Sequence, residues 1–304
     1  MEYLVPDNMV DTRLDQFLAS VSEVSRTKAV ELISLGQIQV NGKNVDKSYR
    51  VQALDQITAN LELPKTQLLD IPPIEPIKIF YQDQDLVVID KPKDVAVHAS
   101  VGWSGATVVA GLKELGIFPA TSGAPERQGI VQRLDAGTTG VMVVALSEVA
   151  YSRLKNQFRS REVTKLYHAL VQGHPDPSEG TIDAPLDRLV GQSHKFAVIA
   201  GGKPSVTHYR TLESWAHASL LEVKLETGRT HQIRVHMQAI RHPCVGDALY
   251  GADPTLTKRL GLDRQWLHAF EISFIHPITN EPLTFNSSYS EDLEKVLQLL
   301  NESY

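Results

Sequence analysis

One carboxylate of this chain stands in a segment whose composition suits a reactive site. Asp135 lies in the segment 129–140, which is rich in glycine and threonine and is followed by the apolar run 141–145. Burying an unpaired carboxylate costs several kcal/mol, so apolar surroundings require a cation or hydrogen-bond donors to compensate. Asp135 is therefore a candidate reactive carboxylate, and its partner must come from elsewhere in the chain.

The segment 227–237 could supply that partner. Apolar and polar residues alternate in its second half, which predicts a strand over 233–237. Guanidinium groups stay charged and can hold a carboxylate through two parallel hydrogen bonds. The basic side chains that this segment offers are Arg229, His231 and Arg234.

Length and composition predict a water-soluble protein with two domains. The chain has 304 residues, and hydrophobic residues make up 42% of it, which suffices for at least one sizeable core. The single cysteine, Cys244, excludes an internal disulfide and any multi-cysteine metal site, and we expect it to be an inert, partly buried thiol. Residues 1–6 lack the features of a secretory leader, and no apolar run approaches the ~18 residues of a membrane helix. We expect a cytoplasmic protein without membrane contact.

The charge of the chain is unevenly distributed. The formal net charge is −6, which by itself does not favour a nucleic-acid partner. Residues 151–170, however, contain five basic residues against one acid, whereas residues 281–304 contain five acids against one lysine. The basic stretch indicates either the solvated face of a helix or one locally basic surface.

Residues 1–62 are predicted to form a small α+β module. Apolar residues at helical spacing predict a first helix around 14–21, and Ser25 is expected to cap a second helix that ends at Gly36. Alternation around 38–40 and the pair Asn41-Gly42 predict a hairpin with a tight turn. Further strands are expected around Val45, Val51 and Ile57.

Prolines between 63 and 77 exclude a regular helix there and predict a semi-rigid linker. Residues 78–304 then form a second domain. Strands follow one another without intervening helices over 206–237, which favours a mixed, largely antiparallel sheet with flanking helices over a doubly wound parallel sheet. The predicted strands are 86–89, 141–145, 166–171, 206–212, 220–225, 233–237 and 271–274, and the predicted helices are 147–159 and one through 293–300.

The first module contains a characteristic series of short motifs: Arg13-Leu-Asp15, Ser25-Arg26, Leu32-Ile33, Gly36-Gln-Ile38 and Val40-Asn-Gly42. In this arrangement the module resembles the α-L RNA-binding domain. In that family the start of the second helix and the following turn face RNA, which implies that Arg26, Lys28 and Lys43 lie against phosphates. The alternative role for these charges is solubility, and we expect the module to assist RNA binding rather than to dominate it.

Four motifs follow one another across essentially the whole chain: Asp90-Lys-Pro92, Gln132-Arg-Leu-Asp135 with Thr138-Thr-Gly140, Lys165-Leu-Tyr167, and Gly228-Arg-Thr-His-Gln-Ile-Arg234 with Gly246-Asp247. In this order they resemble the RluA/RluD-type pseudouridine synthases, and most closely the branch that acts on large-subunit ribosomal RNA. One position departs from the family, which usually has histidine where this chain has Gln132; we interpret Gln132 as a tolerated hydrogen-bonding replacement.

The resemblance implies a reaction that rearranges a uridine within RNA. The bond from the ribose to nitrogen 1 of the base breaks, and the sugar is rejoined to carbon 5. Since no atoms are gained or lost, no redox cofactor, nucleotide or metal is expected. The sequence contains no phosphate-binding glycine loop and no convincing set of metal ligands.

The resemblance also assigns roles to individual side chains. Asp135 becomes the nucleophile, and attack on the ribose, attack on the base and promotion of glycal formation all remain open. Arg234 is expected to contact Asp135 directly and to hold it ionised. Tyr167 is expected to stack on the target base. A tyrosine is a poor proton acceptor at neutral pH, and the alternative role for Tyr167 is that of an ordinary core residue. Arg133 is expected to fill the gap left by the extruded base, with a structural salt bridge as its alternative, and Arg229 to position loops or phosphate.

The basic stretch 151–165 is expected to hold backbone phosphates of the RNA, in particular through Arg159 and Arg161. The partner is thus predicted to be RNA, and a monomer is the expected oligomeric state. Transfer RNA remains an alternative substrate.

Two other functions remain as weaker alternatives. A metal-dependent hydrolase built on His231 and His236 is disfavoured, because an odd separation along a predicted strand sends the two side chains to opposite faces. A non-catalytic RNA-binding or ribosome-assembly factor has no need for a paired buried acid, so the combination of Asp135, Tyr167 and Arg234 favours an enzyme.

Overall fold

The structure of the protein is a computed structural model. The chain divides into two compact units, Met1–Asp70 and Ile71–Tyr304. The segment 63–77, predicted to be a linker, lies outside the described residues except for Ile77. The residues that the structure describes are 1–22, 24–34, 36–46, 48–61, 77–99, 103–189, 191–192 and 194–302.

The first unit combines two helices with an antiparallel sheet of strand order β1-β4-β2-β3. Both predicted helices are present, whereas Val45 and Val51 lie outside the strands. The apolar faces of the helices pack on the sheet in one core that includes Phe17, Leu32 and Ile57. The elements are β1 (Glu2–Leu4), α1 (Leu14–Val21), α2 (Arg26–Ser34), β2 (Ile38–Val40), β3 (Lys43–Asn44) and β4 (Gln56–Ala59).

The tight turn predicted for Asn41-Gly42 connects β2 to β3. Val40 pairs with Lys43, and both turn residues have positive φ angles, 50° for Asn41 and 73° for Gly42. Two successive residues in this region define the hairpin turn that matches the twist of the strands, and asparagine and glycine adopt it at the lowest cost.

The second unit contains the larger sheet and five helices among the described residues. Short 3-10 helices cover Pro125–Arg127 and Ala248–Tyr250. The strands are β5 (Lys78–Gln82), β6 (Leu86–Lys91), β7 (Thr139–Ala145), β8 (Thr164–Gln172), β9 (Glu179–Asp183), β10 (Leu186–Arg188), β11 (Phe196–Val198), β12 (Val206–Trp215), β13 (Ala218–Leu225), β14 (Leu267–Ile275) and β15 (Pro282–Asn286). The helices are α3 (Val108–Glu114), α4 (Glu148–Arg159), α5 (Gln232–Ala239), α6 (Pro254–Arg259) and α7 (Glu291–Glu302).

The large sheet has the strand order β5-β6-β7-β14-β8-β13-β12-β9, with β15 paired to β14. Only β7 and β14 run parallel; the other paired neighbours are antiparallel. Strands β10 and β11 form a separate hairpin. The prediction of a mixed, largely antiparallel sheet with flanking helices is confirmed.

Strand β7 lies in the middle of the unit and is buried on both faces. Alternate residues point to opposite sides of a strand. Met142 and Val144 join the core on the side of α3 and α5, whereas Val143 joins the core on the side of α4. This double coverage explains why the segment has an uninterrupted apolar sequence.

The predicted strand over 233–237 is wrong, because these residues belong to helix α5. Every side chain from Gln232 to Met237 is buried, so the polar residues of the helix also face protein. His236, for example, hydrogen-bonds with the Thr207 hydroxyl at 2.8 Å and with the Ala184 carbonyl at 3.0 Å. A helix surrounded by partners on all sides has no amphipathic pattern, and its sequence happens to alternate like a strand.

Candidate active site

A cleft of about 540 Å³ lies in the second unit and contains most of the side chains predicted to do chemistry. It is bounded by the loop that carries Asp135, by the start of β8, and by the segment between β13 and α5. Polar and charged residues lining it are His98, Arg127, Gln132, Arg133, Asp135, Thr138, Arg159, Arg161, Lys165, Tyr167, Glu226, Thr227, Arg229, His231 and Gln232.

Asp135 reaches this cleft with one oxygen held and the other free. Its Oδ2 accepts a hydrogen bond of 3.1 Å from Nη1 of Arg234. Its Oδ1 receives no hydrogen bond from the residues that the structure describes; Nε2 of His231 lies 3.9 Å from it. The side chain is 15% exposed. The carboxylate is thus oriented by one bond, and its second oxygen is available to a substrate.

Arg234 is held mainly by another acid, Asp247. Nε donates to Oδ2 of Asp247 at 2.6 Å, and Nη2 donates to Oδ1 at 2.9 Å. The two-bonded geometry therefore belongs to Asp247, and Asp135 receives only the remaining donor. Burial opposes the charge on Arg234, but the hydrogen bonds and charges of the two carboxylates outweigh burial and raise the pKa of Arg234.

Two carboxylates, Asp135 and Asp247, share the guanidinium of Arg234. Burial, the largest influence, lowers the pKa of His231 despite the charge of Asp135. Because Asp247 takes two of the donors of Arg234, one donor remains for Asp135. An oriented carboxylate with one free oxygen can act as a nucleophile.

Aromatic and histidine side chains keep the guanidinium in place. The Arg234 guanidinium lies 5.0 Å from the centre of the Tyr250 ring, a distance typical of a cation–π contact. The Tyr250 hydroxyl is 2.8 Å from Nδ1 of His231, which precedes α5 in a left-handed conformation. Arg234 is consequently fixed on three sides, by Asp247, Asp135 and Tyr250.

Lys91 anchors the loop on the other side of Asp135. Its ammonium group donates to the carbonyl of Ala136 at 3.0 Å and to those of Pro92 and Val95 at 2.8 and 2.7 Å. Burial, together with the charge of Arg264, lowers the pKa of Lys91 to about 7. The side chain is completely buried, so its role is to fix the loop rather than to meet a substrate.

Tyr167 projects from β8 into the cleft. Burial and the nearby charge of Asp135 raise the pKa of its hydroxyl. Among the described residues none forms a hydrogen bond with that hydroxyl. A phenol that resists ionisation is a poor proton acceptor, whereas its ring offers a flat wall to a base.

The arginines predicted to contact RNA near the site all line the cleft, and they differ in their hydrogen-bond partners. Arg133 is exposed and has no hydrogen bond or ion pair with the described residues. Arg159 donates to the Asn156 side chain at 2.9 Å, Arg161 to Glu226 at 2.8 Å, and Arg229 to the Pro204 carbonyl at 3.2 Å. Three cations of the basic stretch, Arg159, Arg161 and Lys165, thus face the cleft; Arg153 and Lys155 do not line it.

The predicted RNA-contacting residues of the first unit lie on its surface where they are described. Arg26 is 54% exposed and donates to the buried carboxylate of Asp15 at 2.9 Å. Lys43 is exposed on β3. The side chain of Lys28 lies outside the described residues.

Several residues that build the site were not recognised as such from the sequence. Lys91 and Asp247 belong to motifs of the family resemblance, but the sequence assigned neither of them a role. Lys165, which belongs to the basic stretch predicted to meet phosphates, lines the cleft, and burial and the charge of Arg161 lower its pKa to about 8. In the part of the chain that the structure describes, no three histidine, cysteine or acidic side chains are grouped to hold a metal ion.

Comparison with known proteins identifies the family. The RNA pseudouridylate synthase family matches residues 85–239, and the S4 domain matches residues 12–57. The chain is 52% identical to an uncharacterised RNA pseudouridine synthase of Mycobacterium bovis, covering 97% of this chain and 96% of the relative. It is 37% identical to the ribosomal large subunit pseudouridine synthase D of Escherichia coli K12, covering 99% and 94%.

A solved structure agrees with these matches. Human RNA pseudouridylate synthase domain containing 1 superposes with a TM-score of 0.58 at 27% identity, covering 77% of this chain and 98% of that one. The chain therefore belongs to the RNA pseudouridylate synthase family. This result confirms the predicted resemblance, the predicted enzyme class and the RNA-binding module at the N-terminus. None of the described helices is long and apolar enough to cross a membrane.

Proposed function

We propose that this protein converts specific uridines of large-subunit ribosomal RNA into pseudouridine. The support for the RNA class is the similarity along nearly the full chain to relatives named for the large ribosomal subunit. The observation that carries the chemistry is the contact of Asp135 with Arg234 beside Tyr167 in one cleft.

The proposed reaction begins when a uridine is extruded from the RNA stack into the cleft, which costs a few kcal/mol. Arg133, exposed at the edge of the cleft and without a protein partner among the described residues, occupies the space that the base leaves. The ring of Tyr167 supports the extruded base. The raised pKa of Tyr167 argues against its acting as the acceptor of the carbon 5 proton.

Asp135 supplies the nucleophile, through the oxygen that Arg234 does not hold. The bond between C1′ and nitrogen 1 breaks, the base turns, and C1′ bonds to carbon 5, while any bond that Asp135 has formed to the ribose or the base is broken again. Carbon 5 loses its proton to water and nitrogen 1 takes one up from water, so the product has the atoms of the substrate. Arg234, which Asp247 holds in place, keeps the attacking carboxylate in one direction.

We further propose that the predicted domain division serves this reaction. Residues 1–62 bind RNA backbone through Arg26, Lys28 and Lys43, residues 63–77 connect, and residues 78–304 catalyse. Arg159, Arg161 and Arg229 hold phosphates at the edge of the cleft. A monomer acting in the cytoplasm, where ribosomal RNA is available, is sufficient, since every residue named for the chemistry comes from one chain.

The test uses large-subunit ribosomal RNA labelled with tritium at carbon 5 of uridine. Wild-type protein is expected to release tritium, Asp135→Asn to release none while still binding RNA, and Asp263→Asn, a change at an exposed acid, to behave like wild type. Absence of release by the wild type would overturn the proposal and favour a non-catalytic RNA-binding factor. Release from transfer RNA but not from ribosomal RNA would reassign the substrate.

A further inference from the structure

The loop that carries Asp135 is fixed at three successive positions by side chains from distant segments. Lys91 holds the carbonyl of Ala136, as described above. Nη1 of Arg264 donates to the carbonyl of Gly137 at 2.6 Å, and the Gln265 amide donates to the Thr138 hydroxyl at 3.2 Å. The turn itself is closed by the amide of Thr138, which donates to the Asp135 carbonyl at 2.9 Å.

Arg264 is in turn fixed by the first turn of the C-terminal helix α7. Nε and Nη2 donate to the two oxygens of Asp292 at 2.7 and 2.9 Å, and Nη2 also donates to the Ser290 hydroxyl at 2.8 Å. Arg264 is 6% exposed. Burial disfavours the charged form of Asp292, but its bonds to Arg264 and Ser290 outweigh burial and lower its pKa to about 2. The pair therefore stays ionised at working pH.

This pair lies directly beside the pair that orients the nucleophile. The Trp266 amide donates to the Val245 carbonyl at 2.8 Å, so the segments containing Arg264 and Asp247 run next to each other. At Gly246, an added Cβ would lie 2.0 Å from the Arg264 carbonyl oxygen. One ion pair, Arg234 with Asp247, thus fixes the side chain of Asp135, while Arg264 with Asp292 fixes the backbone two residues further on.

Building on the proposed function, we propose that Arg264 is a positioning residue for the nucleophile, and that helix α7 takes part in catalysis by holding Arg264 through Asp292. The other contacts of α7 hold the helix on the core: Leu293, Val296 and Leu300 pack on Trp266. The indoles of Trp266 and Trp215 also donate to the Leu293 carbonyl at 3.1 Å and to the Asn301 side chain at 2.7 Å. These contacts serve folding. The Arg264–Asp292 pair is separate from them, because it reaches across the unit to a loop that lines the cleft.

Loss of the Arg264–Asp292 pair should therefore lower the turnover rate without lowering the affinity for RNA or preventing folding. A shift of the reacting group by about 1 Å can cost up to about a hundredfold in rate. Asp292→Asn removes the charge that holds Arg264 and leaves the core of α7 intact. We expect this variant to lower the single-turnover rate at least tenfold, with little change in the affinity for RNA.

The experiment compares wild type, Asp292→Asn, Arg264→Lys and the matched control Glu294→Gln, an exposed acid in the same turn of α7. Tritium release at saturating RNA gives the rate, binding of the RNA gives the affinity, and thermal unfolding shows that each protein is folded at the assay temperature. The control should match wild type in all three. Folded Asp292→Asn with a rate within twofold of wild type would overturn the proposal, whatever happens to Arg264→Lys.

A second measurement does not depend on activity. Hydrogen exchange of the segment 133–140, read by mass spectrometry, should be faster in Asp292→Asn and unchanged in Glu294→Gln, since the Thr138 amide loses its fixed turn. If exchange is faster in Asp292→Asn but the wild type releases no tritium, the role of Arg264 in fixing the loop is upheld and the proposed function fails. Unchanged exchange in Asp292→Asn would overturn the positioning role even if the wild type is an active synthase.

Discussion

Arg234 and Asp247 form a buried ion pair in which two donors of the guanidinium meet the two oxygens of the carboxylate, at 2.6 and 2.9 Å. Asp247 is 1% exposed and Arg234 is 7% exposed. Only Nη1 of Arg234 is left for Asp135. The direction of Asp135, the proposed nucleophile, is therefore set by a carboxylate that does not itself line the cleft.

Replacing Asp247 by asparagine should damage both stability and turnover. The amide has one acceptor oxygen in place of two and presents an NH₂ group to the guanidinium, and breaking a buried pair costs about 3 kcal/mol or more. Tritium release should fall at least tenfold, and urea unfolding should show the loss of stability. Asp263→Asn is the exposed control. An Asp247→Asn protein with the stability and rate of wild type would contradict the role of the pair.

Arg133→Ala should affect turnover without affecting stability. Its side chain is exposed and makes no bond with the described residues, so unfolding should change by no more than about 0.5 kcal/mol. If Arg133 fills the gap after base extrusion, the rate defect should be larger on folded RNA than on a short unstructured RNA with the same target, where little stacking is lost. Lys155→Ala, at an exposed lysine of the basic stretch 151–165 that does not line the cleft, is the control. Equal defects on the two RNAs would contradict the gap-filling role.

The sequence was sufficient to select Asp135 and Arg234, but not to find the residues that hold the two side chains and their loop in place. An acid between glycine, threonine and apolar residues is a local signal, and so are the hairpin at Asn41-Gly42 and the apolar strand β7. The partners of the site are separated in sequence: Arg264 and Gly137 by 127 positions, Asp135 and Arg234 by 99. No local pattern reports such contacts. The contact of Asp135 with Arg234 was predicted because both residues belong to motifs of the family. Arg264 belongs to none of these motifs, and its role was not predicted.

Helix α5 shows where a prediction from periodicity fails. The prediction of a strand over 233–237 relied on alternation, which is informative only where one face of an element meets water. All side chains of α5 from Gln232 to Met237 are covered, with Arg234 turned to the carboxylates and His236 to Thr207 and Ala184. The contact of Arg234 with Asp135 was inferred from chemistry and motif, so the error did not affect it. The strand argument against a metal site at His231 and His236 was wrong, however; His231 instead contacts the Tyr250 hydroxyl, and His236 contacts Thr207 and Ala184.

Lys165 should make RNA affinity depend on pH in the alkaline range. Burial and the charge of Arg161 lower its pKa in the free protein to about 8. A neighbouring phosphate favours the charged form, so binding above pH 8 requires uptake of a proton, and affinity should fall by up to about tenfold per pH unit there. Below pH 8 the lysine is already charged, and this contribution is flat. Binding of Asp135→Asn, which cannot turn over, gives the profile; adding Lys165→Arg should flatten it. An identical slope in both proteins would contradict the role of Lys165.

His268 should make the folded state sensitive to acid. The ring is fully buried, with Nδ1 2.8 Å from the Thr139 hydroxyl and Nε2 3.1 Å from the Ser287 carbonyl, and burial lowers its pKa to about 4. In the unfolded chain the histidine takes up a proton near pH 6.5, so between pH 6.5 and 4 the unfolded state binds more protons and stability falls as pH falls. From pH 7 to pH 5 this one group should remove about 2 kcal/mol of unfolding free energy.

Urea unfolding at the two pH values measures the acid sensitivity that His268 confers. His268→Gln should be less stable than wild type at pH 7, because a buried, hydrogen-bonded ring is lost, but it should lose about 2 kcal/mol less than wild type on going to pH 5. His217→Asn, at an exposed histidine, should keep the wild-type difference between the two pH values. If His268→Gln retained the full wild-type difference, the acid sensitivity would have to arise from other groups, of which buried His168, with its pKa also lowered to about 4, is the next to replace.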